Sequence, residues 1–164
     1  MRVYYDLSFV TEPVGDDLVE QLYAAGFDLT VSGFDGLDFV STTVLAEDPV
    51  AAAKGFAETL ETFGVRVLRL DLGLVSQAMI ADLCQVSREA VSQWTKKTGF
   101  PKPWASVKGP LWVWGEVNQW LRQTGKSFCE DTNYPSPIQV AQFNAVWQPL
   151  AEEADETARM PVLV

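Results

Sequence analysis

The stretch from Leu74 to Gln123, LVSQAMIADLCQVSREAVSQWTKKTGFPKPWASVKGPLWVWGEVNQWLRQ, restricts the fold more than any other part of the chain. Two serines punctuate it, and each precedes a short run with helical spacing. The Ser76 hydroxyl can cap the free backbone N–H groups of a helix running through Ala78–Cys84. In that helix Ala78, Ile80, Ala81 and Cys84 fall on one face. A break follows at Gln85 and Val86, with Val86 positioned to fill the gap between two helices. Ser87 then caps a second helix, Arg88 to Lys97, whose Val91 and Trp94 lie three apart on the inner side. Arg88, Glu89, Ser92, Gln93 and Lys96 fall on the opposite side.

Proline and glycine mark what comes next. Gly99-Phe100-Pro101-Lys102-Pro103 leads into a reversal that returns through Lys108-Gly109-Pro110-Leu111-Trp112. Pro fixes φ and removes a donor, and Gly permits a tight turn, so a two-stranded wing over 99–112 is expected with its tip near Ser106–Gly109. A third helix, Trp114 to Gln123, turns Val117, Trp120 and Leu121 inward. This is the element order of a winged helix-turn-helix, in which the second helix enters the major groove of duplex DNA. Arg can pair bidentately with guanine and Gln with adenine, while Ser reads either. An ordinary solvated helix face is the competing reading of the same polar stripe.

The residues VSREAVSQW (86–94), GFPKP (99–103) and LWVWGEVNQWL (111–121) resemble the winged-helix domains of the MerR superfamily and of excisionases. The resemblance covers roughly a third of the chain. It implies a winged-helix fold and DNA contacts from the second helix and the wing. Regulators of the MerR type continue into a long dimerisation helix and an effector domain. This chain lacks that layout, so sensing of metals or drugs does not carry over. The expected contact residues are Ser76, Gln77, Ser87, Arg88, Glu89, Ser92, Gln93, Lys96 and Lys97, with Lys102 and Lys108 of the wing directed to phosphates.

Charge distribution agrees with this assignment, although the net charge of −10 alone would argue against it. Between Leu74 and Lys126 there are seven basic residues (Arg88, Lys96, Lys97, Lys102, Lys108, Arg122, Lys126) and three acidic ones (Asp82, Glu89, Glu116), a balance of +4 that leaves −14 for the rest. A basic island in an acidic chain is the footprint of one region that meets phosphate.

Residues 1–73 have a different logic. Arg2–Val10 alternates, with Val3, Tyr5, Leu7 and Phe9 on one side of a strand and Tyr4 on the other. Pro13 and Gly15 break it, and Asp16 or Asp17 can cap a helix carrying Leu18, Val19, Leu22 and Tyr23 that ends at Gly26. Asp28–Phe34 and Leu37–Leu45 flank Asp35-Gly36, a strong two-residue hairpin signal. Asp48-Pro49 opens a second helix with Val50, Ala53, Phe56, Ala57, Leu60 and Phe63 inward. Gly64 closes it before a last strand, Val65–Leu72. The order β-α-β-β-α-β predicts a ferredoxin-like domain with helices on one sheet face and the other face open. That open face suits a homodimer contact, a protein partner or a small effector, or simply carries exposed aromatic residues.

After Lys126 the chain reads as a loop (Ser127–Tyr134), a helix launched by Pro135-Ser136-Pro137 with Ile138, Ala141, Phe143, Val146 and Trp147 available for packing, a stop at Pro149 and an acidic tail. The expected fold class is thus α+β: a ferredoxin-like domain (1–73), a winged helix-turn-helix (74–126) and a C-terminal loop, helix and tail (127–164).

Other function classes find little support. The chain has no histidine, which removes Ser-His-Asp and Cys-His nucleophile systems. It has no phosphate-binding Gly-Lys-Ser/Thr loop and no dinucleotide glycine signature. Carboxylate pairs such as Asp16-Asp17, Glu130-Asp131 and Glu152-Glu153 read as solvated. Cys84 and Cys129 form no close pair, so neither a disulfide nor a metal site is expected. No apolar run approaches the ~20 residues that cross a bilayer, and the start MRVYYDLSF is not a signal peptide, so a cytoplasmic location is expected. The sequence therefore predicts no enzyme, no cofactor and no metal. It predicts a sequence-specific duplex-DNA-binding protein, a transcriptional regulator acting as a homodimer. The alternative is an adaptor whose winged domain docks a protein.

Overall fold

The computed structural model describes residues 1–126 and 132–147. They form a mixed α+β protein with two antiparallel sheets, divided into two units: Met1–Asp71 together with 138–147, and the described residues of Leu72–Pro137. None of the described helices is long and apolar enough to cross a membrane.

Unit 1 begins with β1 (Val3–Thr11), α1 (Asp16–Ala24), β2 (Leu29–Phe34), β3 (Leu37–Ala46), α2 (Pro49–Thr62) and β4 (Val67–Leu70). The sheet order is β2-β3-β1-β4, and every neighbouring pair is antiparallel. Local sequence accounts for much of this. Asp35 and Gly36 sit at φ 44° and 80°, the pair of positive values that a type I′ hairpin needs, and Gly36 adopts its value without a Cβ penalty. The Asp48 carboxylate accepts from Val50 and Ala51 N–H, and Pro49 occupies the first turn, as the Asp-Pro signal predicts.

At the start of α1 the structure departs from the sequence pattern. Gly15, not Asp16 or Asp17, is the N-cap, and no side chain caps the helix. Both aspartates lie inside the first turn, where their charge complements the helix dipole instead.

The strand register assigns the faces. Tyr5, Leu7 and Phe9 lie opposite Val44, Thr42 and Val40, and this side meets the helices. Phe9 is fully buried, stacked at 5.8 Å on Phe56 of α2. The other side carries Tyr4, Asp6, Ser8 and Val10. Tyr4 is exposed, but Val10 is buried, so that face is not open throughout.

The C-terminal helix α6 (Pro137–Val146) returns to this unit. Its Phe143 meets Phe9 edge-on at 5.9 Å and stacks on Trp147 at 5.4 Å. The inward residues are Val140 and Phe143. Ile138, Ala141 and Val146, expected to pack, are exposed, because the helix aims its Val140–Phe143–Trp147 side at the outer strand. There Asn144 accepts from Leu70 N–H (2.8 Å) and donates to Leu70 C=O (3.0 Å), while the Trp147 indole donates to Val67 C=O (2.8 Å). The β4 edge is thus clamped by side chains. Asn144→Ala should cost about 1–2 kcal/mol, since each such bond contributes about 1 kcal/mol net. Hydrogen exchange at the Leu70 amide should accelerate with it, and an unchanged rate would contradict the clamp. The expected stop at Pro149, the acidic tail and most of the Ser127–Tyr134 loop, with Cys129, lie outside the described residues.

Unit 2 comprises β5 (Leu74–Val75), α3 (Gln77–Cys84), α4 (Arg88–Thr95), β6 (Ala105–Ser106), β7 (Pro110–Val113) and α5 (Trp114–Gln123). Its sheet has three strands, β5-β7-β6, rather than the two of the expected wing. Leu74 and Val75 pair with Val113 and Trp112. The paired part of the wing is also shorter than 99–112, because Gly99–Trp104 runs irregularly between α4 and β6. The cause is Phe100, whose ring turns into the core edge-on to Trp112 (6.0 Å) and Trp120 (5.0 Å). That turn also ends α4 at Thr95, two residues before Lys97. Around these rings Val75, Ile80, Ala81, Cys84, Val91, Trp94, Val117 and Leu121 complete a buried cluster, with Val86 packed against it as its position predicts.

Candidate nucleic-acid interface

Two caps set the geometry of the helix pair. Ser76 Oγ accepts from Met79 N–H (3.2 Å), and Ser87 Oγ accepts from Ala90 N–H (3.1 Å), so α3 and α4 each start where the sequence places them. Between them Gln85 closes α3 in the left-handed region, at φ 55° and ψ 45°. A non-glycine residue there costs roughly 1 kcal/mol, and the turn it makes lets Val86 enter the core. Gln77 ties the two helix starts together, donating its amide to the Arg88 carbonyl at 2.9 Å. These three residues therefore have structural duties. Each serine hydroxyl keeps its own O–H donor, and Gln77 keeps one amide hydrogen.

Val91 and Trp94 anchor α4 in the core, and this decides what its other side presents. At 100° per residue, Arg88, Glu89, Ser92, Gln93 and Lys96 occupy an arc of about 140° opposite that anchor. Arg88, Glu89, Gln93 and Lys96 are exposed and Ser92 is half-buried. Glu89 lies in the first turn, where it also favours the helix dipole. Lys96 is the C-cap residue and Lys97 follows the helix, so Lys97 belongs to the turn rather than to the polar arc.

The β6–β7 hairpin and its approach add two more cations. Lys102 lies exposed in the irregular approach, and Lys108 sits at the tip with φ 51° beside Gly109, where Val107 N–H bonds Gly109 C=O at 3.0 Å. Among the described residues none of Arg88, Lys96, Lys97, Lys102 and Lys108 belongs to an ion pair. Arg122 and Lys126 are occupied differently. Arg122 donates to Thr132 C=O (3.4 Å) and Asn133 Oδ1 (3.3 Å), and the Lys126 ammonium lies 5.9 Å from the Trp94 ring centre. Among the described residues, five of the seven basic residues of this region have no such side-chain partner, and Arg122 and Lys126 keep their charge.

The same segment also exposes Trp104 (55%) and Val107 (69%), which sequence reasoning missed. The available signal was their place between Lys102 and Lys108, outside any strand alternation that would bury them. On α3, Met79 and Leu83 are likewise half-exposed, one turn apart.

No family model, curated protein or solved structure matches this chain.

Proposed function

We propose that unit 2 is a winged helix-turn-helix, like those of the MerR superfamily and excisionases, and that this protein binds duplex DNA sequence-specifically as a transcriptional regulator. In this reading unit 1 is a ferredoxin-like domain serving dimerisation, and the protein works in the cytoplasm without enzymatic activity. The observation that carries the reading is the polar arc of α4: guanidinium, amide and ammonium groups fixed in place by a buried Val91–Trp94 anchor and, among the described residues, unpaired by any carboxylate. Arg88 and Gln93 have the donor patterns that read guanine and adenine edges, and Lys102 and Lys108 stand where a wing meets the backbone. Ser76 and Ser87, at helix N-termini, retain hydroxyl donors suited to phosphate oxygens.

Fluorescence anisotropy with DNA tiles from around the gene, at several salt concentrations, tests the proposal. One tile should bind at least about 10³-fold tighter than the others, with a salt slope set by about 0.9 ions per neutralised phosphate. A second reading draws on the −14 carried outside Leu74–Lys126 and on the exposed Met79 and Leu83: an adaptor whose winged domain docks a protein. Equal, weak binding to all tiles that vanishes near physiological salt would favour it and overturn the DNA assignment.

A further inference from the structure

The two outer strands of the unit 1 sheet are treated differently. The backbone of β4 is clamped by Asn144 and Trp147, and its pairing with β1 is interrupted by a register shift between Val10 and Thr11. The opposite edge, β2, has no register shift, and among the described residues one side-chain hydrogen bond reaches its outer backbone, from the Tyr23 hydroxyl to Leu29 C=O. Its sequence LTVSGF holds no charge and no proline, the two residue classes that usually blunt a sheet edge.

The hairpin fixes which groups on that edge are unpaired. A two-residue turn at Asp35-Gly36 makes Phe34 and Leu37 a hydrogen-bonded pair, so Ser32 and Thr30 also bond to β3. Leu29, Val31 and Gly33 consequently direct their N–H and C=O groups away from the sheet. The Tyr23 hydroxyl donates to Leu29 C=O at 3.1 Å, which confirms this direction and leaves that oxygen a second lone pair. Among the described residues the outward groups of Val31 and Gly33 have no hydrogen-bond partner.

We propose that a second copy of this chain pairs with this edge, β2 against β2, to form one continuous eight-stranded antiparallel sheet. The strand is self-complementary under a two-fold axis through Val31. Val31 then faces itself, and Leu29 and Gly33 face each other, so every outward N–H meets an outward C=O. On the adjacent positions Thr30 lies opposite the partner's Ser32, a hydroxyl pair that favours cross-strand contact, and no like charges are opposed. In a chain of net charge −10 this neutral edge is where two copies can approach. The proposal rests on the DNA-binding reading only for its purpose, because an isologous dimer presents two readers to a palindromic site.

The test is the mass of this chain by light scattering after size exclusion at micromolar concentration. Wild type should run at twice the 18.2 kDa chain mass. Val31→Pro, which removes an outward N–H and leaves the β3 ladder intact, should run at the single-chain mass with an unchanged circular dichroism spectrum. The pair T30E and S32E, which opposes like charges across the axis, should do the same, and the pair T30K and S32E should restore the dimer. Monomeric wild type would overturn the proposal, as would a dimer indifferent to both Val31→Pro and the T30E and S32E pair. Neither result touches the DNA reading, which the anisotropy assay decides independently; equally, a dimer broken at this edge in a protein that binds no DNA would sink that reading alone.

Discussion

Trp120→Ala is expected to lower the stability of unit 2 by about 3–5 kcal/mol, the range for removing a buried aromatic side chain that leaves a cavity. Trp120 is 5% exposed and meets Trp94 at 6.3 Å and Phe100 at 5.0 Å between ring centres. Its loss therefore disturbs α4, α5 and the approach to the wing together. Urea unfolding followed by far-ultraviolet circular dichroism should show this as an earlier transition. Trp104→Ala provides the control: a ring 55% exposed should cost less than about 0.5 kcal/mol. Equal effects from the two substitutions would mean that the aromatic cluster is not what holds the helix pair.

The second large effect is expected in DNA binding, where the α4 arc and the wing should fail differently. Arg88→Ala and Gln93→Ala should each remove about 1–3 kcal/mol of preference at one base pair, roughly 5- to 150-fold, and relax the sequence requirement there. Lys102→Ala and Lys108→Ala should weaken binding to all sequences alike and reduce the salt slope by about one each. Binding curves on the selected tile and on single-base variants, at several salt concentrations, separate the two classes. If the lysine changes altered base preference, or if all four left binding untouched, the assignment of reading helix and wing would be wrong.

Much of the fold was legible because short-range chemistry decided it. The Asp48-Pro49 cap, the Asp35-Gly36 turn and the serine caps of α3 and α4 are each fixed by residues within one helical turn or one hairpin of each other. What escaped was set over longer distances. Leu74-Val75 is too short to show alternation, and it becomes a strand only because Trp112 and Val113, far along the chain, offer it a ladder. The α6 helix has apolar residues on several sides, so its pattern could not reveal that Asn144 would face a strand edge. The candidate site divides the same way. The exposed side of α4 follows from its period, but the diversion of Arg122 to Thr132 and Asn133 depends on a segment that only the folded chain brings alongside.

The return of α6 to unit 1 has a consequence for the nascent chain. Unit 2 interrupts unit 1, so a ribosome delivers β4 first, then everything from Leu72 to Pro137, and only afterwards the residues that close the β4 edge. At about 5–20 residues per second that interval lasts several seconds, far longer than hairpins and helices need to form. Throughout it the growing protein holds out not one bare strand edge but two, and on a crowded polysome the second is hidden only when Asn144 and Trp147 emerge.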